Sequence, residues 1–149
     1  MGERERLALF NMIGEFLLGA VVLDACAGSG ALGIEALSRG ADKVVFVEKS
    51  PQAVRVIREN LQDLGIEADV ISGDVVNFTT DKLFDVILAD PPYDDFRLAD
   101  VEHLTELVQK GGLLVLSHPD NAPELPTMNL EKSRSYAGAR ISVYRKMGF

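Results

Sequence analysis

The sequence predicts an α/β fold built on a mostly parallel sheet, and three observations carry that prediction. Apolar runs alternate with helical patterns almost from start to finish, the order that produces a sheet covered by helices. The apolar runs lack clean alternation of polar and apolar residues, as strands do when helices cover both sheet faces. A glycine-rich turn follows the first run and opens a helix, which is where α/β folds cradle ligands.

The elements follow in order. Residues 3–18 read as a helix, with Leu7, Phe10, Ile13, Leu17 and Leu18 at helical spacing on one face. "VVLDA" at 21–25 is a short buried strand, residues 30–39 a helix stopped by Gly40, and "KVVFVE" at 43–48 the second strand. Ser50 is a good N-cap with Pro51 at the first helical position; the helix they start shows Ala53, Val56, Ile57 and Leu61 on one side and ends at Gly65. "ADVISG" at 68–73 and "FDVILAD" at 84–90 are the third and fourth strands. Residues 98–109 read as a helix ended by Gly111 and Gly112, and "LLVLS" at 113–117 as the fifth strand. After the loop "HPDNAPELP", segments near 129–135 and 139–145, separated by Gly138, pair as a hairpin. The expected architecture is five parallel strands with an antiparallel C-terminal addition. The 149 residues are expected to form one domain, with no linker visible.

Composition narrows the function classes. An apolar content of 47% suffices for one sizeable core. No run approaches a membrane span, and "MGERERLALF" carries charge where a signal peptide is apolar. A soluble, cytoplasmic protein is expected, with a monomer favoured and the oligomeric state open. Cys26, the one cysteine, forms no internal disulfide or zinc cluster and reads as a small buried side chain. His103 and His118 stand apart and read as a surface and a loop residue, so no metal site is expected. The net charge of −8, from 23 acids and 15 bases, argues against a strong nonspecific nucleic-acid binder. Yet Lys132, Arg134, Arg140, Arg145 and Lys146 lie in a stretch without acids. That stretch reads equally as a charge-protected edge strand or as a local basic surface.

Two motifs carry chemistry. In "DACAGSGALG", Gly28, Gly30 and Gly33 have dinucleotide-loop spacing. However, Asp24 lies at the strand end, near where a pyrophosphate would sit, and anion beside anion is unfavourable in a low-dielectric cleft. A cofactor with a cationic ammonium and sulfonium reverses that sign, which points to S-adenosylmethionine. Glu48, 20 residues after Gly28, stands where a carboxylate accepts from ribose hydroxyls, and Asp74 where one can accept from the adenine amine. Asp24, Glu48, Asp74 and Asp90, each at the end of a successive strand, would ring one crevice. The second motif is "LADPPYDD". An exocyclic amine on a base is a poor nucleophile, because its lone pair is delocalised into the ring; acceptors on its hydrogens favour the pyramidal nitrogen that attacks. Asp90 offers such an acceptor. Pro91, lacking N–H, stiffens the turn and leaves a carbonyl as a second acceptor, and Tyr93, after Pro92, offers a stacking face.

These stretches, "LDACAGSGALGIEALSRGA", "VVFVEKS", "FDVILADPPY" and "RERLALFNMIG", closely resemble the RsmD-type methyltransferases, which methylate guanine N2 in small-subunit ribosomal RNA. The resemblance covers roughly residues 3–117. It implies a Rossmann-like methyltransferase fold of seven strands, the last antiparallel. It places Asp24 and Gly28, Ser29 and Gly30 at the methionine part of S-adenosylmethionine, Glu48 with Lys49 at the ribose, Asp74 with Val75 at the adenine, and Asp90, Pro91, Pro92 and Tyr93 at the target base. It implies ribosomal RNA as partner, within a ribonucleoprotein particle. Members usually carry a basic N-terminal segment before the helix that here begins near Glu3, and that segment is expected to be absent. The turn chemistry alone equally serves an adenine, a protein amide or a small-molecule amine. An oxidoreductase shares the glycine spacing but leaves Asp24 and "DPPY" unexplained.

Overall fold

The computed structural model describes residues 1–92, 97–136 and 138–148. Seven strands form one sheet: β1 (Val21–Asp24), β2 (Lys43–Glu48), β3 (Asp69–Ser72), β4 (Phe84–Ala89), β5 (Val108–His118), β6 (Met128–Tyr136) and β7 (Ala139–Lys146). Their order is β3-β2-β1-β4-β5-β7-β6. The first five pair in parallel, and β7 runs antiparallel to both neighbours. Strand order reverses between β1 and β4, so a crevice opens there at the C-terminal strand ends. The helices are α1 (Glu3–Ile13), α2 (Ala31–Ser38), α3 (Pro51–Leu64) and α4 (Leu98–Thr105). Among the described residues no helix is long and apolar enough to cross a membrane.

Neighbouring strand residues feed opposite cores, which is why the strands read as continuous apolar runs. Val22, Phe46, Val86 and Val115 pack with Phe10 of α1, Ala36 of α2 and Ile57 of α3. Leu23, Val47, Ile87 and Leu116 pack on the other face with Val101 and Leu104 of α4 and with Tyr144. The α3 start is as its sequence dictates: the Ser50 side chain accepts from the Ala53 N–H, Pro51 follows, and Gly65 closes the helix at φ 68°. Its buried line is Val54, Ile57 and Leu61, whereas Val56 is exposed.

Four expectations are corrected. The first helix stops at Ile13, because Gly14 at φ 52° breaks it into a 3-10 turn over Gly14–Leu17. α4 ends at Thr105, and Gly111 and Gly112 do not terminate it but lie inside β5, which begins at Val108. The β4–β5 register shifts between Phe84 and Val86. Gly111 takes φ 77°, and a Cβ on Gly112 would stand 2.8 Å from the Asp85 carbonyl oxygen, so the glycine pair builds a bulge. His118 is the buried end of β5 and not a loop residue; its Nε2 lies 2.7 Å from Ser142 Oγ. Cys26 is half-buried and lines the crevice, so it is not a fully buried side chain.

Candidate functional site

The crevice encloses about 340 Å³ at the C-terminal edge of the sheet. The glycine loop forms one side. Gly28 and Gly30 adopt φ 56° and 85°, conformations that side chains with a Cβ rarely take. The loop is tied from three directions: the Gly28 N–H donates to Glu48 Oε1 at 2.9 Å, the Ala27 N–H to the Val47 carbonyl at 3.1 Å, and Asn60 Nδ2 to the Ser29 carbonyl at 3.0 Å. Gly33 has a different task. A Cβ there would run into the Phe46 ring and stand 2.9 Å from Val44 Cγ1, so its absence lets α2 lie against β2.

Four acids were expected to ring the crevice, and Asp24 is the deepest. It is 1% exposed, its Oδ2 accepts the Gly33 N–H at 3.0 Å, and its Oδ1 is buried without a partner. Burial pushes its pKa up to about 7, against the pull of the Gly33 N–H, with Asp90 and Glu48 adding to the rise. Its carboxylate is therefore tied to α2 and lies off the crevice lining, next in the chain to Ala25, which lines it. Glu48, Lys49, Asp74, Val75, Asp90, Pro91 and Pro92 all line the crevice together with Gly28, while Ser29 and Gly30 do not. Glu48 Oε2 also takes the Ser50 N–H at 2.7 Å, so backbone donors fix its plane and leave lone pairs for a ligand. Asp74 Oδ1 accepts the Val76 N–H at 3.2 Å and caps the short turn Val75–Asn77. Asp90 Oδ2 lies 3.3 Å from the Met1 ammonium. Tyr93 lies outside the described residues.

The Cys26 thiol registers how closely these acids gather. Burial, then the charges of Asp24, Glu48, Asp90 and Asp74, push its pKa up to about 12. It stays a neutral thiol at any ordinary pH. A space with this field repels a pyrophosphate and attracts cations and hydrogen-bond donors. The partnerless, buried Asp24 oxygen and the open cradle at Gly28 fit the methionine end of S-adenosylmethionine, whose ammonium and sulfonium are positive.

Sequence reasoning missed the far wall. Asp100, Val101 and Leu104 of α4 line the crevice with Arg97, Ala89 and Leu116; the helix was legible, but the face it turns to the crevice was not. The basic stretch is placed on the β6–β7 hairpin, and most of it is committed internally. Lys132 Nζ donates to the Met12 carbonyl, Arg145 pairs with Glu131 and reaches the Gly111 carbonyl, Lys146 Nζ donates to the Thr105 carbonyl, and Arg140 donates to Ser133 Oγ. Arg134 is exposed on the outer strand β6.

Comparison with known proteins supplies a context for this geometry. The family model described as "Conserved hypothetical protein 95" matches residues 1–145. YlbH of Bacillus subtilis, provisionally named an rRNA methyltransferase, is 31% identical over 160 aligned positions, covering 98% of this chain and 86% of that protein. Ribosomal RNA small subunit methyltransferase D of Haemophilus influenzae is 38% identical over 106 residues, or 66% of this chain. The match spans 54% of that relative, little more than half its length. The solved structure of yhhF from Escherichia coli, provisionally named a methyltransferase, superposes with a TM-score of 0.91 at 25% identity, covering 99% of this chain and 86% of that one.

Proposed function

The chain belongs to the RsmD-type family of methyltransferases, and from that premise we propose that it moves a methyl group from S-adenosylmethionine to the exocyclic N2 of a guanine in small-subunit ribosomal RNA. The observation that carries this reading is the pairing of two features: a partnerless buried carboxylate oxygen on Asp24, one residue before the crevice-lining Ala25, and a crevice wall made by Asp90, Pro91 and Pro92. Asp24 and Gly28–Gly30 would hold the methionine end of the cofactor, Glu48 and Lys49 the ribose, and Asp74 and Val75 the adenine. When bound, the cofactor would supply an electrophilic methyl group on a sulfonium, leaving a neutral thioether, while the methylated amine releases one proton to solvent water.

The protein's own contribution is to the amine. Asp90 accepts one N2–H and the Pro91 carbonyl is a second acceptor, which draws the nitrogen lone pair out of the ring and stabilises the charge that develops as the new N–C bond forms. Tyr93, next in the chain, is assigned the stacking of the extruded base. The substrate is a structured ribonucleoprotein, since a chain of charge −8 holds a bare polyanion poorly.

Transfer from labelled S-adenosylmethionine to unmodified small-subunit particles, followed by nucleoside analysis, tests the assignment. Label in N2-methylguanosine is expected; label only in adenosine or in protein overturns the guanine assignment. Asp90→Ala is expected to keep cofactor affinity by calorimetry while turnover drops by roughly 10² or more. Wild-type turnover in that variant would remove the turn from the chemistry.

A further inference from the structure

A second cavity, of about 420 Å³, shares Asp90, Pro91 and Pro92 with the cofactor crevice. The turn divides the two spaces. Asp100, Val101 and Leu104 of α4 line the crevice, whereas Met1, Gly2, Glu5 of α1, Ser117 of β5 and the hairpin residues Gly138 and Ala139 line the cavity. Small residues on three sides leave room for a flat ring. Two acidic residues, Asp90 and Glu5, border that space, and the second belongs to no feature of the cofactor site. It is held over residue 2: a Cβ on Gly2 would stand 2.6 Å from Glu5 Oε2, so the glycine makes the space in which that carboxylate sits. The cavity thus has one carboxylate residue on the turn after β4, Asp90, and a second on α1, Glu5.

We propose that Glu5 determines which base this cavity accepts. The inference rests on the methyl-transfer reading above and adds the residue that selects guanine. An ionised carboxylate only accepts hydrogen bonds. Guanine presents a ring N1–H donor beside its exocyclic N2 amine. Adenine presents the N1 lone pair beside its amine, and cytosine the N3 lone pair beside its own. With Asp90 on the amine and Glu5 on the neighbouring ring position, guanine meets two acceptors with two donors. Adenine and cytosine place a lone pair against a carboxylate, and the desolvated acceptors left unmatched penalise them. A base extruded from an RNA would be read on this edge.

The experiment uses methylation of unmodified small-subunit particles by the full chain, with guanosine monophosphate and the 2-aminopurine riboside monophosphate as competing probes. The second probe keeps the C2 amine but has a lone pair at N1. For the wild type, guanosine monophosphate is expected to inhibit roughly tenfold or more strongly than its analogue. Glu5→Ala should bring that ratio close to one and lower kcat/KM on particles by roughly tenfold or more. Glu5→Gln, which keeps one acceptor oxygen, should fall between. Calorimetry should find S-adenosylmethionine affinity unchanged in both variants, and thermal melting should find them folded. Equal inhibition of the wild type by the two nucleotides, including none by either, overturns the proposal, as does an unchanged ratio in Glu5→Ala. If the wild type methylates guanine N2 yet Glu5→Ala does so at the same rate, the inference alone fails; if the wild type labels no guanine, the underlying functional reading fails with it.

Discussion

In its proposed role, Asp24 sets stability against ligand binding within one side chain. Its pKa, about 7 in the folded chain against an ordinary value of 3.8, means that the native state keeps a proton which the unfolded chain releases. The contribution of Asp24 to stability is therefore greatest below pH 3.8, falls as pH rises between the two values, and carries the full penalty above pH 7. Asp24→Asn keeps an acceptor for the Gly33 N–H and removes the buried charge. It is expected to raise stability at pH 8 by on the order of 1–3 kcal/mol, with a smaller gain at pH 5, in melting curves taken at both. S-adenosylmethionine affinity should fall roughly tenfold in titration calorimetry, because the charge that destabilises the free protein is the one that would meet the ammonium. A variant less stable at pH 8 would refute this account. The place of Asp24 at the end of the first strand was legible from the motif. Its burial was not, because that depends on how α2 closes over it, and no local pattern encodes this. Cys26 was misread for the matching reason: one residue further along the loop, the chain has already turned toward the crevice.

At the level of elements, the contact between α2 and β2 rests on one missing methyl group. An alanine at 33 must displace the Phe46 ring and Val44, both in the core. Gly33→Ala should destabilise the protein by about 1–3 kcal/mol in denaturant titrations. Asp24 would move with α2, since its partner is the Gly33 N–H, so cofactor affinity should fall as well; a neutral substitution would show that α2 can slide. The strands and α3 were legible because their signals are local: apolar runs, Ser50 followed by Pro51, Gly65 at the exit. The ends of α1 and α4 were not. Leu17 and Leu18 continue the spacing of α1 past Gly14, although Leu17 is buried through a 3-10 turn and Leu18 is exposed. Gly111 and Gly112 carry the usual signature of a helix end, but here they answer to the edge of β4, a partner distant in sequence. Pairing overrode the local signal.

The molecule as a whole is an anion, and its proposed substrate is a larger one. Of the five bases in the hairpin, four hold it to the core or to itself, which leaves Arg134 as the exposed cation of that group without such a tie among the described residues. Particle binding should thus depend only weakly on salt, and Arg134→Ala should lower the slope of log affinity against log salt by roughly 0.7–0.9, the share of one phosphate contact. Equal slopes for variant and wild type would move the docking surface elsewhere. The fold class and the crevice edge were legible because chain order alone dictates them, whereas the fate of these bases depends on residues 7 to 120 positions away. The placement of β7 between β5 and β6 has a temporal consequence. The sheet is not completed in the order in which it is made: a growing chain that has produced everything through Gly138 still lacks the strand that joins β6 to the rest, and its first helix still lacks Ile141 and Val143, against which Leu9 and Phe10 pack. Until those residues arrive, the flank of β5 is an unpaired edge beside exposed apolar side chains, the condition in which nascent proteins stick to one another or to chaperones.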